Sequence, residues 1–200
     1  MLPIFFRPRA LYNASMSTLL QGQLLLASPE LVDPSFFHAA VLIVQHDESG
    51  AMGLVINRPT NVTLAQAWQS DLIPCDVHSP LYQGGPCDGP LMVLHAHEEH
   101  AQVEVGDGLF FSIDKDAIQS LVAQKIPPMK FFAGYAGWAA GQLDAEMAQN
   151  AWTVAAPNSV DVLADAGDEL WRRLYRQQAG GGIFFANIPP QALPRDASSN

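Results

Sequence analysis

His95, His97 and His100, with Glu98 and Glu99 among them, are the densest group of metal-ligating and proton-carrying side chains in the chain. Neutral imidazoles and carboxylates are the usual zinc ligands, and residues two apart on a strand face the same way. The surrounding pattern argues against a metal centre, because the apolar strand Leu91 to His95 gives way to a polar loop that carries His97 and His100. No metal is assigned. Nucleophilic catalysis needs a serine or cysteine beside a base, and the candidates are Cys87, Cys75 or Ser112 with His95 or His46. No G-x-S-x-G elbow is present. Backbone N–H groups around Gly84-Gly85-Pro86 would activate the Cys87 thiol, whereas an inert thiol is the simpler reading. A small-substrate enzyme using His95, Cys87 or both is therefore kept as an alternative, with no catalytic residue assigned and no cofactor expected.

Two glycine-rich stretches could cradle an anion. Gln83-Gly84-Gly85, preceded by Tyr82, offers successive amides, and Gly134 to Gly141 leads into a helix N-terminus where unpaired N–H groups favour negative charge. Neither matches a dinucleotide fingerprint or a P-loop, and tight turns explain the glycines equally well. In the second stretch Tyr135 and Trp138 supply large surfaces with polar tips among Gly134, Gly137 and Gln142, which makes this corner either a pocket wall or a packing joint. Packing is the first expectation. Arg58 stands at a strand end beside a proline, a suitable place for a fork onto carboxylate or phosphate, or for a structural ion pair with Asp33 or Asp144.

These residues need elements to position them. Gln23 to Ser28, Ala39 to His46 and Ala51 to Asn57 read as strands, the last two joined by the hairpin loop Asp47-Glu48-Ser49-Gly50 as the antiparallel centre of a sheet. Asp33-Pro34 marks a turn, and Arg58-Pro59 ends the third strand. Thr63 caps a short helix over Leu64 to Gln69. Leu81 to Gln83, Leu91 to His95, Gln102 to Val105 and Leu109 to Ile113 are further strands. A helix capped at Ser112 or Asp114 ends before Pro127-Pro128. Met129 to Tyr135 is a strand, Leu143 to Gln149 a helix with Asn150 as its left-handed cap, Trp152 to Ala155 a strand, and Asp168 to Gln178 a helix. Strands in hairpin order with helices inserted among them argue an α+β fold.

Composition narrows the partners. With 48% hydrophobic residues in a chain of 200, a large single core can be buried. A net charge of -10 repels nucleic acid and anionic membranes at long range, and Arg172, Arg173 and Arg176 on the last helix are too few to reverse that. Two cysteines fit free thiols in a reducing cytosol. The apolar run near residue 4 is too short for a signal segment or a membrane span. Residues 1–16 are expected to be a disordered or over-called extension with Met16 as a second start, residues 17–187 a single domain, and residues 188–200 a flexible tail.

Gly22 to Ala27 with Asp33-Pro34, Gly50 to Pro59, Tyr82 to Pro86, Leu94-His95 and Gly134 to Leu143, in that order and spacing, resemble the AlgH/YqgE family of bacterial cytosolic proteins. The resemblance runs from about Ser17 to Tyr175. It implies an α+β fold whose sheets curl into a small barrel with helices outside, and a cytoplasmic protein. The family name implies a regulatory role and carries no proof of DNA binding. Cys87 stands where the family has a valine-like residue, which weakens a thiol mechanism, and Asp144 replaces a glutamate and keeps its charge. The resulting expectation is a regulatory or binding module for a small ligand or protein partner. The expected site comprises Arg58, Tyr82, Gly84, Gly85, His95, Gly134, Tyr135, Gly137, Trp138 and Gln142; a transcriptional regulator is a further alternative.

Overall fold

The computed structural model describes residues 20–68, 75–106, 108–125, 127–163 and 167–179, so the expected extension at 1–16 and tail at 188–200 lie outside the described residues. Apolar runs become strands β1 (Leu24–Ala27), β2 (Ala40–Asp47) and β3 (Gly50–Val55), and Asp47 faces Gly50 across the β2–β3 hairpin. Strand β4 (Pro59–Thr63) follows, then helix α1 (Leu64–Ala67), β5 (Pro80–Gln83), β6 (Cys87–His95), β7 (Val103–Gly106) and β8 (Leu109–Ser112). Helix α2 (Lys115–Gln124) precedes β9 (Met129–Ala139), α3 (Gln142–Ala148), β10 (Trp152–Ala155), α4 (Ser159–Leu163) and α5 (Gly167–Ala179). Caps form where the side chains predict them: Thr63 and Gln66 make a capping box, Asp114 accepts from the Ala117 N–H, and Asn150 takes φ 58°.

The main sheet runs β10-β1-β2-β3-β9-β6-β8-β7, antiparallel throughout, while β5 lies parallel to β9 and carries β4 on its other edge. Both faces are covered, which is why the strands read as unbroken apolar runs. One face buries Leu24, Leu42, Leu54, Met92, Phe111 and Phe132 under Leu170, Trp171 and Leu174 of α5. The alternate residues pack in two patches, Val41, Val55 and Trp138 beside Leu143 of α3, and Val93 and Phe131 beside Ile118, Leu121 and Val122 of α2. Each fully buried phenylalanine or leucine contributes about 1.5–3 kcal/mol.

Several expectations are corrected. Pro59 does not merely stop β3; it opens β4, whose Pro59 faces Tyr82 of β5. Helix α4 was not foreseen, and β9 continues through Gly134 and Gly137 to Ala139, so these glycines lie within a strand. The barrel is not closed by a ladder, because the strand path ends at β10 and β7. At this gap the Gly22 N–H donates to Ile43 O, and the Gly22 backbone approaches β7 closely enough that a Cβ on it would stand 2.2 Å from Val105 O. The Gln21 side-chain amide reaches across, donating to Glu104 O at 3.3 Å.

Strand β9 is the hub, pairing with β3, β5 and β6. At its centre the Gly84 N–H donates to Ala133 O, and Gly84 O accepts from the Val55 N–H. A Cβ on Gly84 would lie 2.2 Å from Gly134 O, and one on Gly85 2.2 Å from the Tyr135 carbonyl carbon. Gly84→Ala should lower stability by about 3 kcal/mol or more or abolish folding, since backbone and not a flexible side chain must yield. Gly106→Ala, with nothing within 4 Å of its Cβ, should be nearly neutral. Comparable chemical-denaturation midpoints for the two variants would refute the role given to the Gly84 contact.

Candidate functional site

The turn at Asp33 builds one wall of a cavity of about 840 Å³. Asp33 O accepts from the N–H groups of Phe36 and Phe37, and Asp33 Oδ1 accepts from the Ser35 N–H at 2.7 Å. This leaves Val32 87% and Phe37 50% exposed at the cavity. Asn57, 1% exposed, fixes the chain beyond the turn: its Nδ2 donates to His38 O and its Oδ1 accepts from the Ala40 N–H. Arg58 lies across the same loop, with Nη1 donating to Pro34 O at 3.1 Å and Nη2 to Phe37 O at 2.8 Å. Gln83, whose N–H donates to Arg58 O, and Asp168 in the first turn of α5 complete the lining used below.

Arg58 is held by carbonyls and not by the ion pair expected with Asp33 or Asp144; among the described residues no carboxylate lies within 4 Å of it. Burial pulls its guanidinium below the ordinary value, while Asp168 and then Asp33 hold it up. Arginine stays protonated through such shifts, so the cavity contains a fixed cation with N–H groups to spare. Beside it, His38 takes φ 55° and is stacked between Phe37 and Trp171, with centroids 3.9 and 4.0 Å away. Its buried Nε2 makes no hydrogen bond, and burial lowers its pKa against the pull of Asp168.

His95 and Ser112 do meet, but as structure. Both are fully buried, and His95 Nδ1 accepts from the His97 N–H, which places the proton on Nε2. Nε2 then donates to Ser112 Oγ at 3.1 Å, and the Ser112 hydroxyl donates to His100 O. A base would have to accept the serine proton; here the histidine supplies its own. Burial, aided by His97 and His100, brings the His95 pKa down to about 4. Cys87 is remote from this pair, since it faces Tyr135 of β9 while His95 faces Met129. Six residues of strand put them about 20 Å apart. His46 accepts from the Leu20 N–H, and among the described residues no group of three ligands could hold a metal.

The glycine stretches are similarly occupied. Gln83 and Gly84 direct their N–H groups to Arg58 O and Ala133 O. Tyr82 is buried behind them, its ring under Lys130 Nζ at 4.3 Å, and that ammonium also donates to Ile56 O. Gly134 takes φ 76° where β9 passes from β5 and β6 to β3, and Gly137 packs beside the Tyr135 ring. Trp138 and Trp152 both donate their indole N–H to Glu146 Oε2, at 2.9 and 2.8 Å, while Gln142 Nε2 donates to Glu146 Oε1 and Gln142 Oε1 accepts from the Ala139 N–H. Phe36 stacks on one indole and meets the other edge-on. Of the expected residues the cavity therefore gathers Arg58, with Gln83 from the adjacent stretch, while Trp138 and Gln142 belong to this separate joint. Val32, Phe37, Asn57 and Asp168 were missed; Asp33-Pro34 was visible as a turn and Arg58-Pro59 as a strand end, but nothing local to them signals the approach of residue 168. On α5, Arg172 pairs with Glu169 at 3.0 Å and Arg173 with Asp161 at 2.9 Å.

A family described as AlgH-like (DUF179) matches residues 24–181. A UPF0301 protein of Chlorobaculum tepidum is 35% identical over 174 residues, covering 84% of this chain and 91% of the relative. A UPF0301 protein of Xanthomonas euvesicatoria is 38% identical over 167 residues, covering 78% and 88%. Among solved structures, the AlgH protein of Pseudomonas aeruginosa superposes with a TM-score of 0.68 at 34% identity over 86% of this chain and 94% of that one. A protein of Corynebacterium diphtheriae shares the fold with a TM-score of 0.64 at 24% identity, over 78% and 86%. Among the described residues no helix is long and apolar enough to cross a membrane.

Glu146→Ala should cost about 2 kcal/mol by leaving two indole donors without their acceptor, and Glu146→Gln less, because one carbonyl oxygen remains. Equal urea midpoints for wild type and Glu146→Ala would sink this account. For His95, a folded pKa of about 4 against an ordinary 6.5 means that the unfolded chain binds the proton first as pH falls. Stability from this group is complete above pH 6.5 and is lost between there and pH 4, by about 3 kcal/mol at most. The pH dependence of the urea midpoint should flatten in His95→Gln, and an unchanged slope would exclude this contribution.

Proposed function

This chain belongs to the AlgH-like family, and we propose from that premise that it is a bacterial cytoplasmic binding protein of regulatory type whose ligand site is the cavity at Arg58. The carrying observation is Arg58 itself: two backbone carbonyls hold the guanidinium rigid in an open cavity, and among the described residues no carboxylate within 4 Å neutralises it. A half-buried cation fixed in this way favours an anionic group, because the cost of ordering the side chain is met before binding. The exposed Val32 and Phe37 add an apolar rim, the usual complement to a few placed polar groups in a small-molecule site. An enzyme working through His95 and Cys87 together is disfavoured by their separation along β9. Nucleic acid is disfavoured as well, since Arg172 and Arg173 are engaged with carboxylates on an acidic chain.

Titration calorimetry with isovalerate and inorganic phosphate tests the reading. At least one anion should bind wild-type protein, and Arg58→Ala should weaken it about tenfold or more, with Arg58→Lys intermediate because a point charge replaces a fork. Circular dichroism and the melting temperature confirm that the variants remain folded. Anion binding of equal strength in wild type and Arg58→Ala, or none to either, would remove the assignment.

A further inference from the structure

We infer that the Arg58 cavity takes a small zwitterion with an apolar side chain, either a free α-amino acid or a short peptide with free termini, its carboxylate on Arg58 and its ammonium on Asp168. The inference rests on the binding reading above and adds the ligand's second charge. Two opposite side-chain charges line one cavity without closing on each other: among the described residues Arg58 has no carboxylate within 4 Å, yet Asp168 attracts it more strongly than Asp33 does. Such a pair favours a ligand that carries both charges over one of a single sign. A phosphate drawn to Arg58 would meet repulsion from Asp168, and a simple carboxylate would leave Asp168 without a use, whereas a molecule carrying both charges satisfies each in turn.

Among the described residues Asp168 makes no ion pair, whereas its neighbour Glu169 accepts from Arg172 Nη1. The same lining includes the exposed apolar side chains of Val32 and Phe37, so a ligand seated there should carry an aliphatic or aromatic side chain. The Gln83 side chain, exposed beside Arg58 in the same lining, offers an amide to a peptide group. A cavity of about 840 Å³ that opens to solvent admits both a single amino acid and a dipeptide. The wall is preorganised, because the Asp33 turn, Asn57 and the Arg58 bonds to Pro34 O and Phe37 O fix the loop that carries Phe37.

The full chain is titrated by calorimetry and by chemical-shift mapping with leucine and leucyl-leucine, the two sources, and with N-acetyl-leucine and leucinamide, which lack the ammonium and the carboxylate charge respectively. Leucine or the dipeptide should bind, with both blocked compounds weaker by about tenfold or more. Asp168→Asn should reduce affinity for the zwitterion and erase the preference over N-acetyl-leucine, while Arg58→Lys should erode the preference over leucinamide. If N-acetyl-leucine binds wild type as tightly as leucine, the zwitterion inference is overturned while an anion site at Arg58 stands. If none of the four binds, the inference is overturned, and the anion titrations decide separately whether the site itself survives.

Discussion

The close approach of β5 to β9 is the constraint from which the rest of the structure follows. Gly84 bonds Val55 with its carbonyl and Ala133 with its amide, so one residue joins β3, β5 and β9, and this is sterically allowed only because Gly84 has no Cβ to strike Gly134 O. The parallel pairing of β5 on β9 then fixes Gln83 opposite Ala133, and the Gln83 amide bonds Arg58 O. The guanidinium that reaches the Asp33 loop is thus aimed by backbone packing one residue away. The cavity inherits its rigidity from a glycine contact that itself binds nothing.

Buried polar groups in this fold are directed mostly at backbone carbonyls, which accept without carrying a charge that must be desolvated. Lys130 donates to Ile56 O, Asn57 to His38 O, Ser112 to His100 O and Trp171 to Ala27 O. In an interior this economy avoids the desolvation cost of a buried ion pair. Glu146 is the exception, and it stands half-buried at the edge of the Trp138 and Trp152 joint, where solvent still reaches part of the carboxylate. His38 departs from the pattern in another way. Its ring is stacked between a cavity residue and the helix that carries Asp168, and among the described residues its buried Nε2 has no hydrogen-bond partner.

Separation along one strand does as much for the functional reading as proximity does. Cys87 and His95 share β6 but face opposite ends of the β9 segment it pairs with, and the His95–Ser112 contact runs with the proton on the wrong partner for nucleophile activation. What distinguishes the Arg58 cavity is that its polar groups converge from the β1–β2 loop, the β3–β4 connection, β5 and α5.

Local chemistry determined much by itself: the β2–β3 hairpin from Asp47 to Gly50, the caps at Thr63, Asp114 and Asn150, and the strand Trp152–Ala155, because each depends on residues within a few positions of one another, while the family was legible from the order and spacing of short motifs along the chain. Arg58 was legible as a cation at a strand end, and Trp138 as part of a joint. Glu146 as the shared acceptor, β4 after Pro59, the open sheet, and the meeting of Arg58 with Phe37 and Asp168 were decided only by tertiary structure. The physical reason is range: a cap or hairpin is set by its own backbone, whereas the cavity requires segments more than a hundred residues apart to be brought together by the packing of α5 on the sheet.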